Sequence, residues 1–185
     1  MLKIFNKDPK LFKHSVMVAR AAEIIVQKIP DFDSQKAYAF GLFHDIGKLN
    51  LDKNDAYKHP RLGYEMLKDE HPDIANICIS HPFPVFENIN YIKYYCHNDH
   101  EETTKIIDIL KNIKENDLYI KIIQFCDKIS ESARYVKLET KFKIYAEKYN
   151  IDSNIIKLNL IKLNSIKIKL DKITGYDIYN VLNCI

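Results

Sequence analysis

The sequence predicts an all-α fold: a helical bundle with a C-terminal helical extension. Two observations carry this. Apolar residues recur every three or four positions through most long segments, and only four glycines and six prolines interrupt 185 residues.

From Pro9 to Ile29, the spacing of Leu11, Val18, Ala22, Ile25 and Ile29 predicts a first helix, ended by Pro30. Asp33 or Ser34 caps a second, SQKAYAFGLFHDIGKL, whose second half is almost wholly apolar and must lie in the core. NLDKNDAYKHP reads as loop. RLGYEMLKDE and PDIANICISH follow as two short helices, with Pro72 in a first-turn position. PFPVFENINYIKYYCHNDHEE is irregular and aromatic, and reads as a loop or lid. TTKIIDILKNIKE is helical from Thr103, as is LYIKIIQFCDKISESARYVKLETKFKIYAEKY, with a break near Val136. In the tail SIKIKL alternates like a strand, but Ile156, Leu160, Leu163, Ile166, Leu170 and Ile173 keep helical spacing, and helix is the reading adopted. GYDIYNVL closes the chain as a short helix. The expected division is a core over residues 1–135 with an extension, 136–185, packed on it.

Composition excludes several function classes. A net charge of +3 is too small for a nucleic-acid-binding face, though it suits a small anionic substrate. Cys78, Cys96, Cys126 and Cys184 are scattered with no CxxC pair, which reads as reduced thiols and not a disulfide framework. No apolar run reaches the ~18 residues of a membrane span, and MLKIFNKDPKLFKHS has no signal-peptide core. The expectation is a cytoplasmic protein with neither a membrane nor a nucleic acid as partner.

The chemistry centres on GLFHDIGKL. His44 and Asp45 lie side by side in an apolar run, and a buried carboxylate requires a hydrogen-bond network, a counter-charge or a metal. His14 lies one turn before Val18 and faces the core; Asp127 lies among Ile123, Phe125 and their neighbours. Singly, each reads as a satisfied core histidine or a salt-bridged aspartate. Together, four groups of ligand type come from three core helices, and a bundle gathers such side chains at its centre. Lys48, one turn after His44, either neutralises substrate phosphate or is a surface lysine at a helix end. Arg134, two turns after Asp127, is a candidate phosphate clamp. Phe83, Phe86, Tyr91, Tyr94 and Tyr95 either stack on a nucleobase or pack a loop onto the core. His71, His97 and His100 sit in polar contexts and are expected to face solvent.

The order His14, His44–Asp45, Asp127, with the stretch HDIGK, resembles the HD-domain superfamily over roughly residues 9 to 135. That resemblance implies an all-helical HD-domain bundle and a metal-dependent phosphohydrolase. His59 in HPRLGYEML and His81 in ICISHP fall where the two-metal branch has ligands of a second ion. Both are therefore implied as metal ligands, with Asp45 as the bridge. HPRLG also resembles the HPxxG element of the cyclic-di-GMP phosphodiesterases. Here, however, SHPFPVFENINY replaces that branch's paired histidines and GYP signature, which argues against that substrate. Small stand-alone bacterial members, including those that split diadenosine tetraphosphate symmetrically, are more similar.

The implied reaction is attack by a metal-activated hydroxide on a phosphoester or phosphoanhydride bond of a nucleotide or dinucleoside polyphosphate. It would use two divalent transition-metal ions (Fe, Mn, Co, Ni or Zn). Asp45 and Lys48 would be the catalytic residues, and Lys48 and Arg134 would hold substrate. Two other readings stand beside it: an HD-type di-iron oxygenase, and a non-catalytic metal- or nucleotide-binding module.

Overall fold

The computed structural model describes residues 8–49, 51–149 and 153–185. Among the described residues ten α-helices follow one another: α1 (Pro9–Val26), α2 (Ser34–Phe43), α3 (His59–Leu67), α4 (Pro72–Ser80), α5 (Ile89–Tyr95), α6 (His100–Leu110), α7 (Leu118–Ile129), α8 (Leu138–Tyr149), α9 (Ser153–Thr174) and α10 (Ile178–Val181). Among the described residues there is no strand, only an isolated bridge between Ser130 and Tyr135. The fold is all-α, as the sequence predicts. None of these helices is long and apolar enough to cross a membrane.

Short acidic and amide side chains start most of these helices. Asp8, Asp33, Asn88, Asp99, Asp117 and Asp177 each accept a backbone N–H from the first turn that follows, satisfying donors that have no intrahelical partner. The main core lies between α1, α2 and α7, where Val18, Ala22 and Ile25 meet Phe40, Ile122 and Phe125. Leu163, Ile166 and Leu170 of α9 cover its outer side. Ile79, Phe83, Ile92 and Ile106 form a second cluster that joins α4, α5 and α6.

Two glycines set the distances that matter. A Cβ on Gly41 would sit 2.5 Å from the Ala19 Cα, so α1 and α2 approach backbone to backbone. That contact brings His14 beside His44. A Cβ on Gly47 would lie 2.0 Å from the His59 carbonyl oxygen and 2.5 Å from the Gly63 nitrogen. The chain after Asp45 is thereby pressed against the first turn of α3.

This close approach also explains a departure from the expected second helix. Helix α2 stops at Phe43, and Ile46–Lys48 form a separate 3-10 turn. The HD pair therefore stands at a helix end and not within a helix. A second departure lies after α7, which ends at Ile129, with Ser130 extended. Val136 N–H donates to the Ile129 carbonyl and Glu131 N–H to the Arg134 carbonyl, closing a tight turn before α8. The aromatic stretch after His81 contains α5, and α6 starts at His100, three residues before Thr103. The polar stretch before His59 contains a 3-10 turn over Lys53–Lys58.

Because the obstacle at Gly47 is backbone, a methyl there has no side chain to displace. Gly47→Ala should cost about 1–3 kcal/mol, as overpacked sites do, and appear as a lower melting temperature. An unchanged melting temperature would contradict the packing described for this turn.

Candidate metal centre

Three histidines end three short helical segments. His44 follows α2, His59 follows the Lys53–Lys58 turn, and His81 follows α4. The last carbonyls of a helix lack intrahelical donors. In each case the histidine's own ring reaches back to the segment's end: Nδ1 donates to the carbonyl three residues back, of Gly41 at 2.7 Å, of Ala56 at 2.7 Å beside the His59 backbone N–H, and of Cys78 at 2.8 Å. This local cap fixes the ring and the tautomer, and it aims Nε2 away from the helix end. The end of α4 is held from the other side by Gln124 of α7, whose amide donates to the Ser80 and Phe83 carbonyls at 3.0 and 2.8 Å.

The aimed nitrogens meet at Asp45, which is 1% exposed. His59 Nε2 lies 3.0 Å and His81 Nε2 3.3 Å from Asp45 Oδ1, and the two nitrogens are 3.2 Å apart. On the other carboxylate oxygen, Oδ2, His44 Nε2 lies at 3.4 Å, His14 Nε2 at 3.9 Å and Lys48 Nζ at 2.6 Å. Asp127 borders this side, with Oδ1 3.0 Å from His14 Nε2 and 3.6 Å from His44 Nε2. The structure thus brings together all six residues His14, His44, Asp45, His59, His81 and Asp127. Two groups have a spacing that could hold metal ions, His14–His44–Asp45 and Asp45–His59–His81, and Asp45 belongs to both.

The electrostatics explain what the cluster lacks. Burial pushes His81 down to about 3, and burial with the nearby Lys48 charge lowers His59, so both rings are neutral at pH 7. With their protons committed to carbonyls through Nδ1, their Nε2 lone pairs face each other and the Asp45 oxygen with no hydrogen between them. Asp45 Oδ1 is buried without a hydrogen-bond partner among the described residues. An orphaned acceptor facing two lone pairs is costly unless a cation sits among them. Burial alone would raise Asp45 and Asp127. Lys48 and the histidines outweigh it for Asp45, as Lys128 and the histidines do for Asp127, and both carboxyls stay well below the usual range. Burial also opposes charge on His44, but Asp45 and Asp127 raise it to about 9. A donor set of imidazole and carboxylate without thiolate fits divalent transition metals. The nearest thiol, Cys78, donates to the Phe43 carbonyl instead.

The cluster opens into a cavity of about 320 Å³, within the range of small-molecule sites. Lys48 lines it. So does Lys128, which pairs with Asp127 across from Lys48 and which the sequence reading missed. Tyr91, Tyr94 and Tyr95 form one wall, whereas Phe83 is fully buried in the core and Phe86 packs against it. Arg134 is not brought to the site: it sits in the turn after α7, exposed, with its Nε 3.0 Å from Glu131. His71, His97 and His100 are exposed, as expected.

The HD-domain family model matches residues 11–132, a span that holds every member of the cluster. The chain belongs to the HD-domain family. No curated protein and no solved structure matches it. HD domains are mostly metal-dependent hydrolases of the phosphohydrolase type, and the histidine–aspartate cluster supplies groups of the kind that bind their divalent metals.

Metal binding needs His44 neutral, whereas without metal it keeps its proton up to about pH 9. Mn²⁺ added to chelator-stripped protein at pH 7 should therefore release about one proton per chain, measured by calorimetry in buffers of different ionisation enthalpy. Affinity should rise with pH and level off near 9. In the metal-free protein the His44 pair has the opposite sign: its contribution to stability is complete below about 6.5 and lost as the pH climbs through about 9. Metal uptake without proton release would contradict this protonation scheme.

Proposed function

We propose that the protein is a two-metal phosphohydrolase of the HDIG type, acting on a nucleotide or dinucleoside polyphosphate. In this reading residues 1–135 form the metal-binding core and 136–185 an extension. The observation that carries it is the pair of neutral imidazoles, His59 and His81, turned with Asp45 toward one point. Asp45 is the bridge, with Oδ1 serving one group and Oδ2 the other. His14, His44 and Asp127 complete the first site; His59 and His81 complete the second. Bound there, divalent ions supply charge that polarises a phosphoryl group and brings the pKa of water toward neutrality.

The chain's own residues do the rest. Lys48 and Lys128 put two ammonium groups in the cavity lining beside the carboxylates, where they can hold phosphate oxygens and offset charge gathering on them. Each now pairs with a carboxylate of the cluster, Lys48 with Asp45 and Lys128 with Asp127. An anionic substrate is therefore their natural alternative partner, which favours phosphohydrolysis over oxygen chemistry. The tyrosines of α5 shield one side from bulk water. The small tetraphosphate-splitting HD proteins offer an analogy for the substrate, with Lys128 taking the place proposed from sequence for Arg134.

The test is a hydrolysis panel of nucleotides, dinucleoside polyphosphates and p-nitrophenyl phosphate with the Mn²⁺-loaded chain. Release of a phosphorylated product is expected, and Asp45→Ala should reduce it to background. Lys128→Ala should lower kcat/KM about 10- to 100-fold, the worth of one charge-assisted phosphate contact. A metal-loaded protein that cleaves none of these would overturn the proposal.

A further inference from the structure

Not all of the cavity lining is charged or of metal-ligand type. It also includes Tyr91 of α5, Phe142 of α8, and Ile155 and Ile156 of α9. One polar side chain stands among them. Asn159, only 7% exposed, lines the cavity from α9. It stands beside Tyr91, whose hydroxyl donates to the Pro82 carbonyl at 3.1 Å. A side-chain amide carries two N–H donors and a carbonyl acceptor, which it can offer to whatever enters the cavity.

We propose that these side chains form a nucleobase subsite and that Asn159 reads the edge of an adenine. The proposal rests on the phosphohydrolase reading and names its substrate class. A nucleotide is charged at one end and flat and apolar at the other. The cavity lining supplies both kinds of surface, the ammonium groups of Lys48 and Lys128 and a set of aromatic and aliphatic side chains. The ring faces suit the latter, since aromatic side chains stack on any base. The edge is where selection arises. An amide presents one acceptor beside one donor, and adenine answers both with its N6 amino group and N7. Guanine offers two acceptors along the corresponding edge and can satisfy only the donor. Phe142, Ile155, Ile156 and Asn159 all lie beyond residue 132, where the family match ends, so this specificity belongs to the chain's own C-terminal helices.

The experiment compares ATP, GTP and base-free tripolyphosphate as substrates of the Mn²⁺-loaded full chain, with wild type, Asn159→Ala and Asn159→Asp. Wild type is expected to favour ATP over GTP by about tenfold in kcat/KM, through KM. Both variants should bring that ratio to within about twofold of unity. Asn159→Asp keeps the size and removes the N–H, so it separates recognition from packing; melting curves establish that both variants fold. Equal use of ATP and tripolyphosphate by wild type, or a preference for ATP that survives both substitutions, would overturn the subsite. If nothing is hydrolysed, the phosphohydrolase reading fails, and calorimetry with adenosine and guanosine monophosphate decides the subsite alone. Tighter adenine binding that is lost in both variants supports it; equal or absent binding overturns it.

Discussion

Two imidazole nitrogens, 3.2 Å apart and each within hydrogen-bonding distance of the same aspartate oxygen, present three acceptors to one point inside the bundle. Neither ring can supply a proton from its own nitrogen there, because both Nδ1 atoms are committed to helix-end carbonyls. Much of the surrounding structure serves to hold this arrangement. Gly47 admits the first turn of α3 against the HD turn, and Gln124 ties the end of α4 to α7. The three short helical segments stop where a histidine can cap them. Capping and metal ligation are thus two uses of one ring: one nitrogen answers the helix and the other the site.

The same economy applies to charge. Asp45 and Asp127 would be hard to bury alone, and each has a cavity-lining lysine as well as histidines beside it. Those lysines keep the carboxylates ionised and stand ready for an anion. The cavity lining combines lysine and imidazole with tyrosine, phenylalanine and isoleucine. Helices α8 and α9 supply Phe142, Ile155 and Ile156 of it, so the C-terminal part of the chain contributes to what the site can admit as well as to the core.

Much of this was legible in the sequence, for physical reasons. Helical periodicity found α1 and chose helix for α9 against the alternation of SIKIKL, because burial along α9 follows Leu163, Ile166 and Leu170. His14, His44, Asp45 and Asp127 were found because polar groups at core positions are costly, whereas His59 and His81 came only from the resemblance of their motifs to the two-metal HD branch. The end of α2 was not legible, since it depends on contact between Gly47 and His59, twelve residues apart in sequence. Arg134 was misplaced because the helix was read through Ser130, where the chain turns. Lys128 gave no signal, since its charge looks like that of any surface lysine until Asp127 is placed beside it. Asn159 did leave one: it occupies the first place of the buried series 159, 163, 166, 170, 174, where an apolar residue is expected.

The central claim is that the HD pair and its four partners are one side of a metal site. The most direct measurement is the metal content of wild-type protein purified without chelators, by elemental analysis per chain. About two divalent transition-metal ions per chain are expected, matching two groups that share Asp45. Protein that holds no metal as purified, and takes up none when loaded with Mn²⁺, Fe²⁺, Co²⁺, Ni²⁺ or Zn²⁺, would contradict it.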